Sequence, residues 1–128
     1  MIYEFKTKPY NFQREAFDYS KDLEAFGLFF EQGCGKTKVA IDTIAYLMQK
    51  GEIENTVVVA PDGVHQNWGK SYGEMKCQWE THCPDHVFSD TEVFIFNSSG
   101  SSTKKWEKEA NLFCRSDKKK LLCISYNG

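Results

Sequence analysis

The segment that most constrains this chain is Glu31-Gln32-Gly33-Cys34-Gly35-Lys36-Thr37. It lies between a short apolar run, Gly27-Leu28-Phe29-Phe30, and a stretch in which Ala40, Ile41, Ile44, Ala45, Leu47 and Met48 mark one face of a helix. The run reads as a buried strand and the stretch as a helix near 36–50, with Gly51 a suitable C-terminal stop. A strand, a glycine-rich turn and a helix in that order form half of a parallel βαβ unit, and such units pack as a parallel sheet covered by helices.

The rest of the chain repeats the alternation. Residues 1–10 read as an extended lead-in ending at Pro9. Phe12, Ala16, Phe17 and Leu23 place a helix near 11–24. Thr56-Val57-Val58-Val59-Ala60 is a β-branched run and a second buried strand. Pro61-Asp62-Gly63 turns the chain, and Val64, Trp68 and Tyr72, four apart, suggest a further helix. Residues 76–91 mix Cys, His and Pro and read as irregular. Strands are expected at 92–96 and 121–124, with a charged helix over 104–113 between them. The expected fold is therefore α/β, a P-loop type parallel sheet with helices on both faces.

The loop carries a chemistry of its own. Gly33 and Gly35 let the backbone curl so that its N–H groups, Cys34 included, converge on an anion. The following helix offers its free N–H groups and positive dipole end to the same anion. Lys36 would reach the β- and γ-phosphates of a nucleotide, and the Thr37 hydroxyl would hold Mg²⁺. Lys36 and Thr37 are thus the candidate catalytic residues, and ATP with Mg²⁺ the expected ligands. The full pattern G-x-x-x-x-G-K-[ST] asks for glycine at position 30, where this chain has Phe30; the shorter G-x-G-K-T core is intact.

Composition narrows the class. With 128 residues there is room for one domain and its core. A net charge of -2 gives no bulk signature of nucleic-acid binding. Five cysteines, one of them inside the loop, fit a reducing cytoplasm better than a disulfide framework. The N-terminus has no signal-peptide pattern, and no apolar run is long enough to span a membrane.

The form acidic-x-Gly-x-Gly-Lys-Thr resembles the superfamily 2 helicases, in particular the Swi/Snf-like ATPases. Upstream, Pro9-Tyr10-Asn11-Phe12-Gln13-Arg14 is similar to that family's adenine-reading motif. The resemblance implies that Gln13 bonds the adenine edge and Tyr10 packs on the base. Downstream, Val57-Val58-Val59-Ala60-Pro61, then Val64 and Asn67-Trp68, resemble motif Ia; this implies contact of Pro61, Asp62 and Gly63 with the backbone of a nucleic acid. Ile124-Ser125-Tyr126-Asn127-Gly128 is similar to a further nucleic-acid-facing segment, with Ser and Asn where the family has Asn and Glu. The family's activity, ATP hydrolysis coupled to movement on double-stranded DNA, also needs an Asp-Glu box, a second RecA-like lobe and an arginine finger. The chain contains no Asp-Glu dipeptide. Residues 1–128 are accordingly expected to be a partial first RecA-like lobe that binds nucleotide without turnover. Two other classes stay open: a different P-loop protein such as a nucleotide kinase, and a non-catalytic nucleotide-binding module that docks on a partner.

Three further features have plainer readings. Cys77, His82, Cys83 and His86 are all potential zinc ligands, but C-x4-H-C-x2-H is not the usual knuckle spacing, and an irregular loop with buried thiols is the simpler expectation. Lys104, Lys105, Lys108 and Lys118-Lys119-Lys120 are diluted by Glu107, Glu109 and Asp117 and read as a solvated face rather than a phosphate-tracking patch. Trp68 suits core packing at least as well as contact with DNA.

Overall fold

A computed structural model of the chain describes residues 3–25, 27, 35–61, 64–71, 74–96 and 104–125. The element order is α1 (Asn11–Ser20), α2 (Lys36–Lys50), β1 (Asn55–Ala60), α3 (Val64–Gly69), α4 (Gln78–His82), α5 (Asp85–Phe88), β2 (Thr91–Ile95), α6 (Lys104–Arg115) and β3 (Lys119–Ser125). The three strands form one parallel sheet in the order β1-β3-β2. The strand expected at 27–30 and the loop residues 31–34 lie outside the described residues, Gly27 apart, as do Asp62, Gly63 and residues 126–128.

Helix α2 has the bounds its sequence predicts, because glycine sets both ends. Gly35 (φ 78) and Gly51 (φ 82) are both left-handed, a region that costs other residues roughly 1–2 kcal/mol. At the C-terminus, Gly51 N–H donates to Met48 O at 3.1 Å and Glu52 N–H to Leu47 O at 3.0 Å. That pair of bonds is a Schellman motif and satisfies carbonyls the helix leaves open.

Helices cover both faces of the sheet. Val93 and Ile95 point to the face where Ile41, Ala45 and Met48 of α2, Trp68 of α3 and Trp79 of α4 pack with Leu121 and Cys123 of β3. Phe94, between them, points the other way and meets Phe113 of α6 with ring centroids 5.4 Å apart. On that second face Val57 and Val59 of β1 are 57% and 58% exposed. Gly69 lets α3 sit close on the sheet: a Cβ there would lie 2.6 Å from Val93 Cγ1. A second cluster, Phe17, Val39 and Tyr46 with Tyr3 and Phe5, holds α1 and the lead-in against the outer side of α2.

Two expectations are corrected. Helix α1 ends at Ser20, not near 24, and its chain end is tied down by Asp22, which accepts from the Tyr46 hydroxyl at 3.0 Å and pairs with Lys50 at 3.3 Å. Residues 76–91 are not irregular: they hold α4 and α5 and run into β2. Trp79, Cys83 and Val87 recur every four residues and are buried. That is a helical signal, and Pro84 breaks it into two short helices by standing at the N-cap of α5.

Candidate functional site: a cleft at the start of helix α2

Gln13 is the third residue of α1 and only 5% exposed. Its Oε1 accepts from Tyr10 N–H at 2.8 Å, satisfying a donor that the helix start leaves open. Its Nε2 donates to the Gly35 carbonyl at 3.3 Å. One amide thus ties the start of α1 to the start of α2, across 22 residues of chain. Gly35 is confined from two directions, because a Cβ there would stand 2.2 Å from Gln13 Nε2 and the backbone is left-handed.

These groups open onto a cleft of about 530 Å³ lined by Thr7, Lys8, Tyr10, Gln13, Gly35, Thr37, Lys38, Gln78 and His82. The volume is of the order that a small-molecule site requires. The structure thereby brings together Tyr10, Gln13, Gly35 and Thr37. Tyr10, which lines the cleft, is 70% exposed and its ring stacks on that of Phe12 at 5.8 Å. Lys36 opens α2 and is exposed, beside the half-buried Thr37. Gly33 and Cys34 lie outside the described residues. Pro61 is exposed and does not line the cleft. Its carbonyl accepts from Val64 N–H at 3.0 Å and His65 N–H at 3.3 Å, starting α3.

One wall of the cleft carries a buried ion pair between two residues of α2. Lys38 Nζ donates to Asp42 Oδ2 at 2.8 Å, and the Tyr3 hydroxyl donates to Asp42 Oδ1 at 2.8 Å. Lys38 and Asp42 are 6% and 1% exposed. Burial pushes the Asp42 carboxyl up, against the hydrogen bonds from Lys38 and Tyr3 that hold it down. Burial and the neighbouring carboxylate also push the Tyr3 hydroxyl up, which keeps it a donor. The i,i+4 spacing of Lys38 and Asp42 on a helix was the available signal.

The residues present suit a nucleotide. Helix α2 begins at a left-handed glycine, which has no side chain to cap it, so the helix start can offer its first N–H groups to an anion. Thr37, which carries a hydroxyl, lines the same cleft, where Mg²⁺ of a nucleotide would need an oxygen ligand. Thr7, Lys8, Gln78 and His82 were not expected at the site. Only the pairing of the lead-in with α4 brings them there.

The four potential zinc ligands are turned to separate partners. His82 Nδ1 shares a hydrogen bond of 2.7 Å with Thr7 Oγ1, and His86 Nε2 one of 2.8 Å with Gln49 Oε1. Cys77 Sγ caps α4 by accepting from Glu80 N–H at 3.4 Å. Burial pushes the Cys83 thiol up to about 12, away from the thiolate a metal needs. Among the described residues no three such side chains form a metal-binding group. Trp68 is buried in the core. Lys119 pairs with Asp90 at 3.3 Å and Lys120 donates to Ser116 O at 2.8 Å, so part of the basic run is used within the fold. No helix among the described residues is long and apolar enough to cross a membrane.

Comparison with curated proteins and with solved structures gives no match. Comparison with protein families matches residues 6–126 to the type III restriction enzyme, res subunit, a superfamily 2 helicase-type N-terminal domain. The match spans the α1–α2 cleft and all three strands of the sheet. The chain belongs to this family and is a helicase-type, P-loop ATP-binding domain.

Proposed function

We propose that the cleft between α1, α2 and α4 binds Mg²⁺-ATP, and that the chain serves as the ATP-binding lobe of a motor that moves on double-stranded DNA. Lys36 holds the β- and γ-phosphates, Thr37 the metal, and the loop N–H groups of Gly33, Cys34 and Gly35 the remaining phosphate oxygens. Gln13 reads the adenine edge and Tyr10 packs on the base. The observation that carries this is the Gln13 bridge to Gly35: it puts a buried amide, with donor and acceptor capacity to spare, next to the phosphate loop. Pro61, Asp62 and Gly63, at the end of β1, face the nucleic acid. The finer likeness to the Swi/Snf-like ATPases rests on the three motifs in order, with Gln13, Lys36 and Pro61 as their markers.

Chemistry needs more than these groups. Lys36, Thr37 and Mg²⁺ hold and polarise the phosphates, but orienting water for in-line attack takes a further carboxylate. Asp42 does not supply it, being buried against Lys38 and Tyr3. These 128 residues by themselves therefore bind nucleotide without turning it over, and the rest of the motor supplies the acid and the arginine finger.

Base discrimination tests the reading. A site that bonds the adenine edge leaves its amide unpaired with guanine, so ATP should bind better than GTP, and Gln13→Ala should narrow the gap. Equal affinity of the parent chain for ATP and GTP, by titration calorimetry, would show that Gln13 does not read the base.

A further inference from the structure

Helix α4 contributes to the wall of the cleft, and the side chains on it and at its ends are divided between core and cleft. Cys77, Trp79 and Cys83 are buried in the core and fix the position of the helix. Gln78 and His82, one turn apart, are half-buried and line the cleft. The lead-in is stitched to the same element. Lys6 Nζ donates to Glu80 O at 2.7 Å and pairs with Asp85 at 2.9 Å, and Thr7 bonds His82 at 2.7 Å.

The Thr7 bond occupies Nδ1 of His82 and so sets the ring's orientation; among the described residues Nε2 is the ring nitrogen that can meet a bound molecule. We propose that His82, oriented by Thr7 and flanked by Gln78, is a second specificity residue of the nucleotide site and bonds the nucleoside half of the nucleotide through Nε2. This rests on the nucleotide reading of the cleft. Position favours the nucleoside: His82 is held by Thr7, three residues before Tyr10, and lines the same cleft as Tyr10 and Gln13. Charge favours it too. Burial, with Lys38 and Lys6 nearby, holds the imidazole below its ordinary range and keeps it neutral, suited to a hydroxyl or a base edge rather than to an anion. Thr7 is a positioning residue that acts through His82.

The test is titration calorimetry of the full chain with Mg²⁺-ATP, Mg²⁺-2′-deoxy-ATP and inorganic tripolyphosphate, with thermal melting as a check on folding. His82→Ala should weaken ATP roughly three- to tenfold, the worth of one hydrogen bond, and leave tripolyphosphate unchanged. His82→Gln, which can still offer a hydrogen bond, should recover part of the loss. Thr7→Val should weaken ATP by less, and should add nothing once His82 is alanine, because it acts through that ring. A smaller effect of His82→Ala on 2′-deoxy-ATP than on ATP assigns the contact to the ribose 2′-hydroxyl, and an equal effect assigns it to the rest of the nucleoside. Equal weakening of ATP and tripolyphosphate, or unchanged ATP affinity in His82→Ala, overturns the proposal. If that unchanged affinity is still lost in Lys36→Ala, the nucleotide site stands and only the role of His82 falls. If Lys36→Ala binds ATP as tightly as the parent, the site reading falls and the His82 role falls with it.

Discussion

Gln13 Nε2 stands 3.3 Å from the carbonyl oxygen of Gly35, and no side chain larger than hydrogen fits at position 35 while it does. A Cβ there would overlap the amide at 2.2 Å, on a backbone already left-handed at φ 78. Two motifs separated in the chain are in this way built against each other atom to atom.

Gly35→Ala should therefore do two things. It should cost roughly 1–2 kcal/mol of stability from the left-handed backbone alone, read as a lower denaturant midpoint. It should also push Gln13 out of place and weaken Mg²⁺-ATP binding by at least about tenfold, if Gln13 reads the base as proposed. An alanine variant with parental midpoint and parental affinity would show that the bridge does not shape the site.

The Lys38–Asp42 pair should behave as a buried ion pair. Asp42→Ala strands the Lys38 ammonium and the Tyr3 hydroxyl without their acceptor, and should cost about 3–5 kcal/mol in urea unfolding. A double change, Lys38→Met with Asp42→Leu, removes both charges and should cost clearly less than the single change. Equal losses in the two variants would mean that burial of an unpaired charge is not what the single change exposes.

Stability should fall as the medium turns acid, and His82 should carry a share of the fall. Its imidazole is held below the ordinary value of 6.5 by burial and by the nearby Lys38 and Lys6. Below that value the unfolded chain takes up a proton that the folded chain refuses, so the unfolded state gains. The contribution is present above about pH 6.5, is lost as pH drops below it, and levels off beneath the lowered folded value. Thermal melting of the parent and of His82→Gln between neutral and acid pH should show the smaller decline in the variant, and parallel curves would remove His82 from the explanation.

Much of this fold could be read along the chain. Gly35 and Gly51 mark both ends of α2, and the β-branched run at Thr56 to Ala60 falls within β1. Helices α4 and α5 escape the reading because the four-residue period of Trp79, Cys83 and Val87 runs through a stretch rich in Cys, His and Pro, and Pro84 divides it into helices of five and four residues. The missed helix is also the missed wall of the site. Gln78 and His82 carry no motif, and only the pairing of Lys6 and Thr7 with α4, more than 70 residues away, brings them to the cleft. For Gln13 the residue type is legible but its burial is not, because its partner Gly35 belongs to another segment. The buried pairing of Lys38 with Asp42 went unread for a related reason: an i,i+4 pair on a helix looks the same whether it faces solvent or Tyr3.

Direct measurement of Mg²⁺-ATP binding to the parent chain and to Lys36→Ala bears most closely on the reading of the cleft. Lys36 opens α2 on the exposed side and belongs to neither core cluster, so its loss should leave the melting temperature near the parental value. Titration calorimetry should then find ATP binding in the parent and none in the variant. Equal affinities in two equally folded proteins would contradict the assignment of this cleft as a nucleotide site.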